Sequence, residues 1–175
     1  MEKLLAVTAI GLDRTGLIRD ISQIVTNAGG NIMESRMIAL GKEFAVLMLV
    51  SGNWHAVGKI SEKLGHLQEQ TDLTITVRNS APQDDRNSAP YNIDVVTLDH
   101  EGIVLGLSAF FANRDLEIAE MNTRHYHAPH TGAPMFGVQM TVNVPSTVQV
   151  ASLRDEFLEF CDGENLDAIM EPAER

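Results

Sequence analysis

Asp13-Arg14-Thr15-Gly16-Leu17-Ile18 returns 86 residues later as Asp99-His100-Glu101-Gly102-Ile103-Val104, and this pair of six-residue stretches decides how the 175-residue chain is read. The apolar pattern behind each copy also repeats at that offset. Leu17, Ile18, Ile21, Ile24 and Val25 become Ile103, Val104, Leu107, Phe110 and Phe111. Spacings of one, four, seven and eight residues trace one face of a helix. The offset then carries Asn31-Ile32-Met33-Glu34 onto Glu117-Ile118-Ala119-Glu120 without a gap. A duplicated unit explains all of this most simply.

Working outward from the repeat, residues 3–10 and 91–98 read as β-strands that each end at Asp-x-x-Gly, and a helix follows. Gly29-Gly30 stops the first helix. Strands at about 31–39 and 43–50 are then joined by a turn at Gly41-Lys42, and the run Phe44 to Val50 is apolar enough to be central in a sheet. Ser51-Gly52-Asn53 caps a second helix whose Trp54, Val57, Ile60, Leu64 and Leu67 share a face. A strand from Thr71 to Val77 closes the unit and turns Leu73, Ile75 and Val77 toward the core. In the second unit Ser146 is the expected cap of a helix carrying Val150, Leu153, Phe157 and Phe160, and Asn165 to Met170 forms the last strand.

Two differences separate the copies. Phe136 aligns with Phe44 at an offset of 92, so six residues are inserted among His125 to Pro134. Residues 80–90, rich in Pro, Ser and Asp, lack periodicity and read as a linker between units at 1–79 and 91–175. The fold expected is α+β: two tandem ferredoxin-like βαββαβ domains, each an antiparallel four-stranded sheet with two helices on one face. The other face of each sheet is left uncovered, and pairing of the units or a homodimer would bury it.

Composition narrows the function. With 44% hydrophobic and 21% charged residues the chain is an ordinary folded protein. No run reaches the roughly 18 apolar residues of a membrane span, and the opening Met-Glu-Lys-Leu is not a signal peptide, so a cytoplasmic location is expected. The net charge of −11 disfavours direct nucleic-acid contact. Residues 1–79 carry 8 basic and 8 acidic side chains, so the whole excess, 5 basic against 16 acidic, lies beyond Asn79 and suits a basic partner. The lone Cys161 sits in an apolar-periodic stretch and reads as a core residue.

The Asp-x-x-Gly junction carries the chemistry. A helix N-terminus presents unpaired N–H groups and partial positive charge, so Thr15, Gly16 and Leu17 are placed to hold a carboxylate. Gly16 allows close approach, Asn31 adds an amide, and Asp13 can meet an ammonium group; together these match the two ends of an α-amino acid. The competing reading makes Asp13 a simple helix cap and Gly16 a turn residue.

The tandem plan, with Asp13-Arg14-x-Gly16-Leu17-Ile18 after the first strand and Gly30-Asn31-Ile32 opening the second, resembles the ACT domain family. Residues Gly11 to Gly52, followed by Trp54, look most like its repressors of glycine cleavage. That resemblance implies a non-catalytic regulator without a cofactor. It would sense a small amino acid, with glycine the expected ligand, and repress by contacting a transcriptional activator protein rather than DNA. By position it transfers ligand binding to Asp13, Arg14, Thr15, Gly16, Leu17, Asn31 and Ile32. The matching set in the second repeat is Asp99, Gly102, Ile103, Glu117 and Ile118. There Glu117 replaces the Asn and His100-Glu101 replaces Arg14-Thr15, and added carboxylates would repel a carboxylate ligand.

Other readings carry less. His125, His127 and His130 suggest a metal, but no fixed carboxylate or Cys completes the set, and no metal is expected. Arg14 and Asn31 resemble the Arg and Asn of acylphosphatases, yet the glycine-rich phosphate cradle is missing. An RNA-recognition module would need exposed aromatics in a basic sheet. A generic amino-acid-binding or structural module with no transcriptional role is the second hypothesis.

Overall fold

The computed structural model describes residues 2–82 and 87–173, and the expected linker residues 83–86 lie outside them. The first unit comprises β1 (Lys3–Leu12), α1 (Leu17–Asn27), β2 (Asn31–Leu40), β3 (Glu43–Gly52), α2 (Trp54–Glu69) and β4 (Thr74–Ser80). The second repeats the order with β5 (Ser88–Leu98), α3 (Ile103–Ala112), β6 (Glu117–His127), β7 (Pro134–Pro145), α4 (Val150–Gly163) and β8 (Asp167–Pro172). The chain divides into compact units at residues 1–84 and 85–175. Each holds an antiparallel sheet, ordered β2-β3-β1-β4 in the first and β6-β7-β5-β8 in the second. These are tandem βαββαβ domains.

Strand periodicity builds the cores. Val7 on β1, Val46, Met48 and Val50 on β3, and Ile21 and Val25 on α1 are all buried, and α2 adds Ile60 and Leu64. The second core is more aromatic: Phe110, Phe111 and Phe157 meet with ring centroids 5.1–5.3 Å apart, Phe110 edge-on to the other two, and these contacts add to the burial of the rings. Cys161 is buried in this core, and desolvation there, followed by the charge of Asp162, pushes its thiol pKa up to about 12. A thiol so protonated is packing, not a nucleophile.

The helix stops are also duplicated. Past α1, Gly29 takes a φ of 84°, its N–H donates to the Thr26 carbonyl, and Gly30 N–H donates to that of Val25. This closes the helix by a left-handed turn that favours Gly. The second unit makes the same turn with Asp115 at φ 54°. Bulges in β2 between Ile32 and Glu34 and in β6 between Ile118 and Glu120 fall at the same offset.

Several expectations are corrected. Trp54 is 75% exposed and does not share the buried face of α2; it follows Asn53, whose Oδ1 accepts from the N–H groups of His55 and Ala56. Ser146 does not cap α4, which begins after Gln149. Instead Ser146 N–H donates to the Asn87 carbonyl while Asn87 Nδ2 donates to Ser146 Oγ, joining the start of β5 to the end of β7. Residues 80 and 88–90, read as linker, are strand. Pro90 fits because it pairs with Asn143 near the end of β5 and its carbonyl still accepts from Ala173 N–H. β4 starts at Thr74 rather than Thr71, since Thr71 Oγ1 bonds back to the Leu67 carbonyl at the end of α2. The insertion resolves to residues 128–133, because His127 and Pro134 still pair as the last rung of β6 and β7.

Candidate functional site

The β1–α1 loop of the first unit hangs between a strand end and a helix start. Asp13 N–H donates to the Lys42 carbonyl at 3.1 Å, which ties the loop to the β2–β3 hairpin. Gly16 is the N-cap at φ 88° and no side chain caps α1, so the helix-cap reading of Asp13 fails and the turn reading of Gly16 holds. Leu17 N–H is turned back to the Arg14 carbonyl at 3.3 Å and is not offered to a ligand, while the Leu17 side chain is buried in the core. Asp13 itself is exposed and has no ion-pair partner among the described residues.

Behind the loop, Arg14 Nη2 donates to Asp20 Oδ2 at 2.8 Å, and Arg19 reaches Asp20 Oδ1 at 2.9 Å. The hydrogen bonds from Arg14 and then Arg19 hold the Asp20 carboxyl below its usual pKa. Arg14 is thereby turned toward the first turn of α1 as a brace across the loop. The pattern-based reading missed this role of Asp20, although an acidic residue in a first helical turn is a recognisable signal.

The second element of the expected site is elsewhere. Asn31 pairs with Ser51 on β3, whereas Leu12, just before the loop, pairs with Glu43. Eight residues of β3 separate those two rungs, about 26 Å of strand. One unit therefore does not bring Asp13 and Asn31 together around one amino acid. The cause is topological: α1 returns the chain to the far end of the sheet before β2 begins. Asn31 is exposed there, its Nδ2 lying 3.6 Å from Met33 Sδ, and Ile32 packs partly against the core.

The second unit's loop is built on the same frame, with Gly102 at φ 91° and Asp99 N–H donating to the Pro134 carbonyl. Its side chains differ. His100, Leu105 and Gly106 stand where Arg14, Arg19 and Asp20 stand, so the brace is gone. Asp99 Oδ2 instead meets His125 Nε2 at 3.4 Å, at the position of Ala39 in the first unit. His125 and His127 pack edge to face, with centroids 5.2 Å apart. Among the described residues no three His, Cys, Asp or Glu side chains are grouped to hold a metal ion. Glu117 and Ile118 open β6 at the far end of their sheet, as Asn31 and Ile32 do in theirs.

Comparison with known proteins places this geometry. A family model described as ACT domain matches residues 3–78. The glycine cleavage system transcriptional repressors of Escherichia coli (strain K12) and Shigella flexneri are each 30% identical over 159 residues, covering 90% of this chain and 83% of theirs. The chain belongs to this repressor family. A crystal structure assigned to a glycine cleavage system transcriptional repressor superposes with a TM-score of 0.75 at 27% identity, covering 100% of this chain and 99% of its own. A protein of unknown function from Galdieria sulphuraria gives 0.81 at 24% identity, covering 99% and 100%, and shares the fold. The tandem ACT arrangement of this chain is matched over its whole length by that repressor structure. No helix among the described residues is long and apolar enough to cross a membrane.

Proposed function

We propose that the protein is a non-enzymatic regulator that binds a small α-amino acid, glycine first, and thereby changes its affinity for a transcriptional activator protein. The observation that carries the ligand reading is the unpaired, exposed Asp13 beside a helix start that no side chain caps. A carboxylate on Asp13 suits the ammonium group, and the start of α1 suits the ligand carboxylate. Thr15 and Gly16 line the approach, with Arg14 held back by Asp20.

Asn31 completes the site only from a second sheet, because its own sheet holds it a strand length away. The second unit has Glu117 at that position, so the Asn comes from the first unit of another copy, and the functional form is a homodimer. Ligand bound across such a junction stabilises one arrangement and shifts the population available to the partner. The acidic second unit suits a basic surface on that partner. The family relatives, described as transcriptional repressors of the glycine cleavage system, support the regulatory role.

Calorimetric titration of the full chain with glycine, serine and alanine tests the ligand. Saturable heat with glycine supports it, and no heat with any of the three rejects it. Pull-down with and without glycine tests the partner: recovery of the same transcription factor in amounts that change with glycine supports the mechanism, and recovery of none rejects it.

A further inference from the structure

The faces of the two sheets turned away from their helices differ: the first gathers its apolar side chains at one end, whereas the second mixes exposed Val96, Leu98 and Ile169 with polar and charged groups. On the first sheet Ile10 and Leu12 of β1, Ile38 and Leu40 of β2, and Leu47 of β3 lie on that face and are 47–65% exposed. At the matching positions of the second sheet stand Val96, Leu98, Arg124, Tyr126 and Gln139. Around them Gln139 Nε2 donates to Asp94 Oδ1 at 2.8 Å and Thr141 Oγ1 to Asn92 Oδ1 at 3.2 Å, a face finished with its own polar bonds.

We infer that the outer face of the first sheet is the surface on which a second copy of this chain docks, first sheet to first sheet. The five side chains expose on the order of 500 Å² of apolar surface per copy. Doubled, and with the flanking polar rim added, this reaches the range of a stable, standard-sized interface. Charge also selects a second copy. The rim carries both signs, with Glu34 and Arg36 paired at 3.1 Å and Lys42, Glu43 and Arg78 nearby, so two identical faces meet without net repulsion. The second sheet's face presents Asp94, Glu120, Asp167 and Glu171 against Arg124, and copies of it would repel. Two sheets stack face to face about 10 Å apart. With the two-fold axis crossing the strands at the Leu47 rung, midway between Glu43 and Ser51, the loop end of one sheet lies over the Asn31 end of the other and each apolar cluster covers the far half of the opposite sheet. In that respect the contact rests on the ligand reading above and deepens it, while the association is measured without ligand.

The test is sedimentation velocity of the full chain across a concentration series, with no amino acid added, beside Ile38→Arg and Leu47→Gln. Both substitutions place the second unit's own residue at the matching exposed position, so the fold is retained, which circular dichroism verifies. A reversible dimer is expected, with its dissociation constant raised about 100-fold in the Ile38→Arg, Leu47→Gln double variant and about tenfold in Leu47→Gln alone. Val96→Gln on the other sheet should change it less than twofold. A monomer at all concentrations, an unchanged dimer in the variants, or equal dissociation by Val96→Gln overturns the inference. A dimer that gives no heat with glycine overturns the ligand reading and leaves this one standing.

Discussion

The Asp13 loop and the Asp99 loop share backbone, cap glycine and hairpin anchor, yet the first carboxylate has no ion-pair partner among the described residues while the second has His125 3.4 Å away. The difference arises from a few side chains far apart in sequence: Ala39 against His125, and the Arg14-Asp20-Arg19 brace against His100, Gly106 and Leu105. Duplication preserved the frame, and substitution on that frame separated a candidate sensing unit from an acidic companion. The outer sheet faces diverge as well: Ile38 and Leu47 of the first are Arg124 and Gln139 in the second, which keeps Val96, Leu98 and Ile169 exposed among charged groups.

The largest way to break this comparison is at the loops. Asp13→Ala should weaken glycine binding about 10- to 100-fold, the cost of losing one charge-assisted contact, while Asp99→Ala changes it less than twofold. Asn31→Ala should likewise weaken binding more than Glu117→Ala. Calorimetry reads each, and equal losses in the two units would abolish the asymmetry.

Next is Gly30→Ala. A Cβ there would sit 2.6 Å from Ile60 Cδ1 and 3.2 Å from the Ser51 carbonyl, whereas the second unit carries Leu116 at the matching position. Overpacking should cost about 2 kcal/mol in chemical denaturation. Gly29→Ala meets no atom within 4 Å, so it isolates backbone strain at φ 84° and should cost about 1 kcal/mol. Asp115→Gly, relieving the equivalent turn, should raise stability by less than that.

The brace sharpens the comparison through pH. Because hydrogen bonds from Arg14 and Arg19 lower the Asp20 pKa from 3.8, its contribution is fully present above 3.8 and is lost as pH falls through the folded value. The stability difference between the wild type and Asp20→Asn should therefore shrink below pH 3.8 in acid denaturation. The smallest effect is expected from His125→Ala: the contact with Asp99 is exposed, and its removal should change stability at neutral pH by about 0.5 kcal/mol or less.

Most of the fold was legible because its signals are local. The 86-residue offset, the Gly29-Gly30 stop and the Phe44–Val50 run each reflect backbone geometry or burial within one element, and each element formed. At Ser146 and Pro90 reading failed because a distant partner decided the outcome. Ser146 looks like a cap but bonds Asn87, 59 residues away. Pro90 looks like linker but lies in a central strand, where its missing N–H is tolerated beside the end of β8. Trp54 fits the helical period but is the first residue of α2 and stays 75% exposed, while Ala56 and Val57 of the same turn are buried.

The sequence by itself determined the duplication, the βαββαβ order and the divided charge, since periodicity, turn residues and composition act over a few residues or over none. Tertiary structure decided what those elements bring together. It put Asn31 about 26 Å along the strands from the loop that leads into α1, and it set His125 3.4 Å from Asp99 with no counterpart at Asp13 among the described residues. Strand direction and cross-strand register, which no single segment encodes, fix those distances.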